Sequence, residues 1–221
     1  DAGDYILFYG QSTDSWKRIN GSKMPFDHQI HYFSDTSFYY ITADLGTGKR
    51  ISSQNSLPNS ANTTTSKQDY FGFHEVNTVN VVKSGREFYG EKFDLTTSFS
   101  FSFLIPDAAI GDSVYVKANV LGRSDYAVGP SSFAVNFNSG SFNFTCGATN
   151  VNSYLADVGY PGGDSKGGLL NSTYLSVSVS KLTAQATGWL DNIVFNARRN
   201  LIFNQSQFNT IDRFYILKYR L

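Results

Sequence analysis

The chain has 221 residues, of which 41% are hydrophobic and 16% aromatic, and this is enough apolar material for one all-β domain with a real core. Its 18 basic residues balance 18 acidic ones, so no overall positive charge draws it to nucleic acid or anionic lipid. A single cysteine excludes an internal disulfide, and no apolar run approaches the roughly 20 residues of a membrane helix.

The first 51 residues are dense in strand formers and predict a β-rich subdomain. Short strands are expected at 5–9, 29–33 and 38–42. Residues 52–66 then consist almost wholly of Ser, Thr and Asn without a charge. Since such a run has little apolar area to bury, we predict an exposed loop or linker there.

Residues 67–221 carry the clearest strand patterns. Phe99, Phe101 and Phe103 alternate with serines, so the three rings face one side of a strand. The same alternation predicts strands at 114–120, 133–137, 142–146, 175–179, 193–195, 201–203 and 214–216. Residues 147–170 are predicted to be irregular because glycines and Pro161 interrupt them. The pattern predicts an all-β fold, an antiparallel β-sandwich of jelly-roll (galactose-binding-like) type with the N-terminal β-rich extension.

Cys146 is the only thiol, and a cysteine peptidase needs a histidine base beside its nucleophile. Cys146 continues the face set by Phe142 and Phe144. We therefore expect it to be a buried core residue and not a catalyst.

The histidines give no clear metal motif. His28 and His31 stand three residues apart, and on a strand this spacing directs them to opposite faces, so a shared zinc is not expected. His74 and Glu75 are adjacent in an extended stretch, and their side chains should diverge for the same reason. Hydrogen-bonded structural roles are expected for these residues.

Arg86, Glu87 and Glu91 lie around two glycines and admit two interpretations. Two carboxylates about 5–10 Å apart would suit glycoside hydrolysis. The commoner arrangement is an Arg–Glu salt link that pins a turn, and this is the one we expect. Asp191 is expected to cap a turn or to accept a hydrogen bond from Arg198.

Tyr126, Tyr154 and Tyr160 fall in polar, glycine-rich stretches. Exposed tyrosines on sandwich loops can stack on sugar rings, although packing against the sandwich edge is the commoner role. Asp157 and Asp164, together with loop carbonyl oxygens, offer ligands for a structural Ca²⁺, but EF-hand spacing is absent and no cofactor is expected.

Several blocks, in chain order, resemble the region that precedes the protease domain in the type IX secretion sortases, the PorU family of gingipain-like cysteine peptidases. The blocks are DYILFYGQ (4–11) followed by Trp16, then His28, YFSD (32–35), FYYIT (38–42), GTGKRI (46–51), SGREFYGEKF (84–93), GWLDNI (188–193) and RRNL (198–201). The block at 84–93 is the most distinctive, and together the blocks span almost the whole chain.

The resemblance implies a non-catalytic module of an exported enzyme. Family members carry a β-rich N-terminal region and then a peptidase domain with a His/Cys dyad, which removes sorting domains from secreted cargo at the outer membrane of Bacteroidetes-type bacteria. Cys146 falls in no matching nucleophile motif. The implied role is a scaffold or protein-interaction domain that docks on the following peptidase domain, on cargo or on a secretion-system protein. The implied location is the cell surface, with a signal peptide removed.

The alternative function is that of a carbohydrate-binding module or a surface adhesin domain. Jelly rolls often bind sugars, and the loops with Tyr126, Tyr154 and Tyr160 would then form the platform for a glycan. Neither interpretation requires nucleic acid or a transmembrane segment.

Overall fold

The computed structural model describes residues 9–42, 45–46, 52, 65–83 and 85–202. These residues form eleven strands and no helix. The strands are β1 (Ser15–Arg18), β2 (Phe26–Gln29), β3 (Lys67–Glu75), β4 (Lys92–Phe93), β5 (Ser98–Leu104), β6 (Ser113–Arg123), β7 (Ser131–Phe137), β8 (Gly140–Cys146), β9 (Tyr160–Leu169), β10 (Tyr174–Lys181) and β11 (Thr187–Asn200). In these ranges no helix is long and apolar enough to span a membrane.

Two antiparallel sheets pack face to face and confirm the predicted β-sandwich. One sheet has the order β5-β10-β7-β8, and the other has the order β3-β11-β6-β9 with β4 paired to the start of β11. A separate two-stranded hairpin, β1-β2, lies beside them. The buried core between the sheets includes Phe93, Val116, Val120, Phe133, Val135, Leu175, Val177, Val179, Leu190, Ile193 and Phe195.

The predicted alternation is the reason that this core forms. The three β5 phenylalanines at 99, 101 and 103 pack against the core, and the serines between them face outward. Their partners on β10 repeat the pattern, with Val177 opposite Phe101 and Val179 opposite Phe99. Because strand side chains have a period of two, one register places all the apolar residues inside and the hydroxyls in water.

The prediction that residues 147–170 are irregular is wrong for residues 160–169, which form β9. This strand pairs with β6 along its whole length. A Cβ atom on Gly162 would lie 2.7 Å from Cys146 Sγ and 2.6 Å from the Thr145 carbonyl oxygen. Gly162, which indicates a break in the sequence, is therefore needed for the close approach of β9 to β8.

The N-terminal strands also differ from the prediction. The strand expected at 29–33 lies earlier, at Phe26–Gln29, and it pairs with Ser15–Arg18, which the sequence did not indicate. Residues 38–42 belong to none of the described strands. The tight connection between β1 and β2 includes Gly21, whose φ of +76° favours glycine.

Aromatic packing explains why the hairpin pairs in this register. The ring of Trp16 lies 4.5 Å from that of Phe71 on the outer face of β3, and the ring of Phe26 also lies 4.5 Å from Phe71. The Phe26 N–H donates to Asn196 Oδ1 at 2.7 Å, and Asn196 Nδ2 donates back to the Phe26 carbonyl oxygen at 2.8 Å. The hairpin thus covers part of the outer face of the five-stranded sheet.

The boundaries predicted at 51 and 66 stay predictions. Leu201 and Ile202, from the strand predicted at 201–203, belong to none of the described strands. Most of the 52–66 segment, the first predicted strand except Tyr9, residue 203 and the strand predicted at 214–216 lie outside the described residues.

Candidate functional site

A cleft of about 1150 Å³ opens on the outer face of the five-stranded sheet. The hairpin and the turn at 30–35 line one side, the segment 86–89 lines another, and residues of β6 and β11 contribute to its lining. We call it the acidic cleft, because its lining includes the carboxylates of Asp14, Asp35, Glu75, Glu87 and Asp191.

A β-bulge places both Asp191 and Asn192 on this face. The ladder between β6 and β11 shifts register between Leu190 and Asn192, so Asp191 is the extra residue with no partner opposite. Leu190 is fully buried on the core side, whereas Asp191 lines the cleft. A bulge re-aims side chains in this way, and bulges are enriched beside functional sites.

The environment of Asp191 disfavours its charged form. Burial, followed by the negative charges of Glu75 and Glu87, raises the pKa of Asp191 to about 6, and Lys117 opposes this shift. Lys117 is also engaged by Asp27, whose Oδ2 lies 2.9 Å from its Nζ. The carboxylate accepts a hydrogen bond from Asn192 Nδ2 at 3.0 Å. Arg198, the predicted donor to Asp191, pairs through its Nη1 with Asp69.

Arg86, Glu87 and Glu91 were considered together in the sequence, and the structure directs Glu91 away from the other two. Glu87 Oε2 accepts a hydrogen bond from the Tyr89 hydroxyl at 3.4 Å, and burial, Glu87 and Asp191 raise the pKa of that phenol. The Arg86 guanidinium lies over the Tyr32 ring at 5.1 Å. Arg86 and Glu87 thus line the cleft together with Asp191, and the expected salt link between Arg86 and Glu87 stays a prediction.

Glu91 is directed elsewhere. Its Oε1 lies 2.8 Å from Nε2 of His74, and the His74 ring packs 4.4 Å from the Phe101 ring on the core side of β3. Glu75, the neighbour of His74, lies on the opposite face, where its Oε2 is 3.6 Å from His28 Nδ1. The predicted divergence of His74 and Glu75 is confirmed.

His28 is a buried polar residue at the wall of the cleft. Its ring stacks on Phe73 with centroids 3.5 Å apart and planes at 15°. The side chain is 2% exposed, and Nε2 lies 3.5 Å from Asp14 Oδ2. Both carboxylate distances are too long for good hydrogen bonds. Within the described part of the chain, His28 Nε2 is a buried atom without a hydrogen-bond partner.

His31 has different contacts, because its Nδ1 accepts a hydrogen bond from the Ser34 N–H at 3.1 Å. No group of three or more His, Cys, Asp or Glu side chains that could hold a metal ion occurs within residues 9–42, 65–83 and 85–202 or the other described positions. Asp164 lies on β9, where its Oδ1 accepts from the Ser165 N–H at 2.7 Å. The Ca²⁺ site considered for Asp157 and Asp164 stays an untested prediction.

Cys146 is buried, as the alternation predicts. It is 1% exposed, and its thiol lies 3.5 Å from the Val120 carbonyl oxygen. Burial raises the pKa of Cys146 to about 11, although contacts with Ser131 and Gly122 oppose the shift. A shielded and protonated thiol is a poor nucleophile.

The three predicted tyrosines lie in or beside two loops, residues 124–130 and 147–159. Tyr126 is 65% exposed and its N–H donates to the Thr149 carbonyl oxygen at 3.1 Å. Tyr154 is 95% exposed. Tyr160 begins β9, and a hydrogen bond with Asp157, followed by the charge of Asp157, raises its pKa.

Local sequence patterns do not predict the cleft. Asp14, His28 and Glu75 come from three different strands or turns, and none of them carried a local motif. The bulge at Asp191 did leave a signal. Inward-facing residues stand at even positions up to Leu190 and at odd positions from Ile193, and this phase change marks one extra residue.

No family model and no curated protein matches the chain. Among solved structures, dimeric latent PorU from Porphyromonas gingivalis is similar, with a TM-score of 0.65 and 18% identity over 88% of this chain and 18% of the PorU chain. CBM35 from Cellvibrio japonicus Abf62 has a TM-score of 0.32 and 10% identity over 60% of this chain and 97% of its own. TmCBM61 in complex with β-1,4-galactotriose has a TM-score of 0.30 and 13% identity over 58% of this chain and 86% of its own. The chain spans about a fifth of the PorU chain, and its fold is PorU-like.

Proposed function

We propose that this chain is a non-catalytic β-sandwich module of an exported, gingipain-like peptidase of the type IX secretion sortase kind, and that it acts as a scaffold or protein-interaction domain at the cell surface. The PorU-like fold over 88% of the chain supports this role. The small share of the PorU chain that is covered, 18%, leaves room for a peptidase domain elsewhere in a parent polypeptide.

The observation that carries the proposal is the segment 32–41, which we call the aromatic segment, where exposed large apolar side chains at 32–33 and 38–41 flank four polar residues. Its most exposed members are Tyr40 at 96%, Phe33 at 84%, Phe38 at 77% and Ile41 at 66%. Large contiguous apolar patches on soluble proteins mark interaction sites. The occupant that we propose is the following peptidase domain of the same polypeptide, because burial of these rings against it would remove them from water.

Hydrogen exchange tests this docking role. Backbone amides at 32–41 should exchange at least about tenfold more slowly in the parent polypeptide than in the isolated chain, because docking removes them from solvent. The exposed loop residues Tyr154 and Leu155, at 95% and 82%, provide the internal reference. Equal exchange of the aromatic segment in both proteins would overturn the proposal.

A matched pair of variants separates docking from general surface hydrophobicity. Phe33→Ser with Tyr40→Ser should weaken copurification of this chain with a separately produced peptidase domain. Leu95→Ser removes a side chain that is 97% exposed outside the segment and should leave copurification unchanged. Equal losses in both variants would contradict a specific interface.

The non-catalytic part of the proposal has its own assay. The purified chain should turn over neither peptide nor glycoside substrates, because its only thiol is buried with a raised pKa. Turnover that disappears in Cys146→Ala would overturn it.

Glycan binding is the second candidate function, and the exposure of Tyr126 and Tyr154 favours it. The two alanine variants at these positions should then lose binding on a glycan array. Tyr174→Ala is the control, because Tyr174 is 53% exposed on β10 in the other sheet. Silence of the unmodified chain on the array would remove this candidate.

A further inference from the structure

The acidic cleft carries an excess of negative charge. Among the described residues that line it, five carboxylates stand against the single guanidinium of Arg86. Glu75 is strongly shielded from water, with a side chain that is 7% exposed. Like charges in a shielded site repel one another much more than they do in water. A cation that entered this cleft would relieve the repulsion.

His28 gives an independent indication that a further polar group belongs here. Its buried Nε2 has no hydrogen-bond partner within the described part of the chain, and a buried polar atom of this kind is costly. Its two ring nitrogens lie 3.5 and 3.6 Å from carboxylates of Asp14 and Glu75. The Asp14 side chain is 31% exposed at the surface, so a small outward movement would admit a donor between it and the ring.

The cation that fits is an organic one. The described residues provide no cluster of His, Cys, Asp or Glu suited to a metal ion. The volume of about 1150 Å³ exceeds the roughly 300–1,000 Å³ of small-molecule pockets. Exposed apolar side chains of Phe33, Val82 and Phe88 also line the cleft, and they would contact an aliphatic stem and the residues beside it.

We propose that the acidic cleft binds an arginine side chain presented by the following peptidase domain of the same polypeptide. A guanidinium has five N–H donors in a planar fork, so it can pair with two carboxylates at once, here those of Glu75 and Asp191. The aromatic segment contributes Tyr32 and Phe33 to the same cleft, so a partner docked on that segment would lie beside it. The proposal rests on the docking role above for the source of the arginine.

Binding should depend on pH. Asp191 is faced by Glu75 from β3, by Glu87 and Tyr89 from the 86–89 segment and by Lys117 from β6, while His28 lies across the cleft on the hairpin. A bound guanidinium favours the ionised form of Asp191, so binding releases a proton where Asp191 is protonated in the free chain. The affinity should therefore rise between pH 5 and pH 7, a range that includes the raised pKa of about 6.

The test is an NMR titration of the whole chain with a capped Gly-Gly-Arg-Gly-Gly peptide. The amides of residues 190–192 and of Glu75 should shift, with a dissociation constant below about 1 mM. The same peptide with citrulline in place of arginine has the same shape without the charge, and it should bind at least about tenfold more weakly. Glu75→Gln and Asp191→Asn should each weaken arginine-peptide binding about tenfold, and Asp191→Asn should also flatten the pH dependence.

Two further variants complete the design. Asp164→Asn removes an exposed carboxylate on β9 and should leave binding unchanged, while His28→Phe keeps a ring against Phe73 and should weaken binding severalfold. Equal binding of the citrulline peptide, absence of binding by the arginine peptide, or displacement by equimolar Ca²⁺ would overturn the proposal. If the aromatic segment is still protected in the parent polypeptide, such a failure removes the arginine site and leaves the docking role intact.

Discussion

Replacing Asp191 by asparagine should stabilise the protein at neutral pH. An unfolded Asp191 has an ordinary pKa of 3.8, whereas burial and the charges of Glu75 and Glu87 raise its pKa to about 6 in the folded chain. Between these pH values the folded state holds a proton that the unfolded state has released. The free energy of unfolding therefore falls as the pH rises from about 4 to about 6, and it stays at the lower level above that.

The size of the effect follows from the shift of roughly two pH units. At about 1.4 kcal/mol for each unit, the ionised Asp191 costs the folded state at most about 3 kcal/mol at pH 7. Partial contact with water reduces this to about 2 kcal/mol. Asparagine has nearly the same shape and cannot ionise, and its Oδ1 still accepts the hydrogen bond from Asn192. The gain in Asp191→Asn should be about 2 kcal/mol at pH 7 and close to zero near pH 4.

Urea unfolding curves at pH 4, 5, 6 and 7, followed by tyrosine and tryptophan fluorescence, measure this difference. Asp94→Asn is the control of opposite sign. The Asp94 carboxylate accepts a hydrogen bond from Lys92 Nζ at 2.7 Å, and that bond lowers its pKa, so any stability it contributes is present at neutral pH and is lost as the pH falls. A gain in Asp191→Asn that is equal at pH 4 and pH 7, or no gain at pH 7, would refute the argument that this carboxylate is shielded and crowded.

Gly162→Ala should destabilise the fold by about 1–3 kcal/mol in urea unfolding, because the new Cβ would lie 2.6 Å from the Thr145 carbonyl oxygen. Gly10→Ala is the control and should be neutral, because the nearest atom to its new Cβ is 3.7 Å away. A neutral Gly162→Ala would contradict the close approach of β8 and β9. Trp16→Ala should speed hydrogen exchange of the β1 and β2 amides by roughly tenfold, equivalent to about 1–2 kcal/mol, because the ring contacts of Trp16 are lost. Unchanged exchange would show that the hairpin does not depend on these ring contacts. Cys146 should react with a disulfide reagent at pH 8 at least about 100-fold more slowly in the folded than in the unfolded chain, because burial raises its pKa from 9.0 to about 11; equal rates would place the thiol at the surface.

The sandwich itself was predictable because its signal is local. A period of two along β5 or β10 places every second side chain on one face, and burial of that face fixes the register without information from distant residues. The strand at Tyr160–Leu169 was not predictable in this way. Its glycines have no side chains to alternate, and each is explained by residues on other strands or loops, such as Cys146 and Thr145 beside Gly162 and Tyr115 beside Gly167.

Local sequence patterns predict the cleft even less well than they predict β9. Its charged groups come from the hairpin, from β3, from the 86–89 segment and from β11, and each is unremarkable among its sequence neighbours. Asp191 was expected to cap a turn or to accept a hydrogen bond from Arg198. The phase change between Leu190 and Ile193 did indicate a bulge. The closeness of the Glu75 charge to Asp191 arises only when β3 and β11 pair in the folded sheet.

Three costly features of this molecule meet at the cleft, and their proximity supports a binding role for it. Asp191 lies in a bulge with no residue opposite it on β6, and its pKa is raised. His28 has a buried nitrogen without a hydrogen-bond partner among the described residues. Phe33 exposes most of its ring at the rim of the cleft. Each of these lowers the stability or solubility of the folded chain, and a sandwich with the core of this one does not need them to fold. A guanidinium between Asp191 and Glu75, with apolar neighbours on Phe33, would offset these costs together. Asp191→Asn should therefore both stabilise the chain and weaken arginine binding, which is the usual trade-off between stability and function.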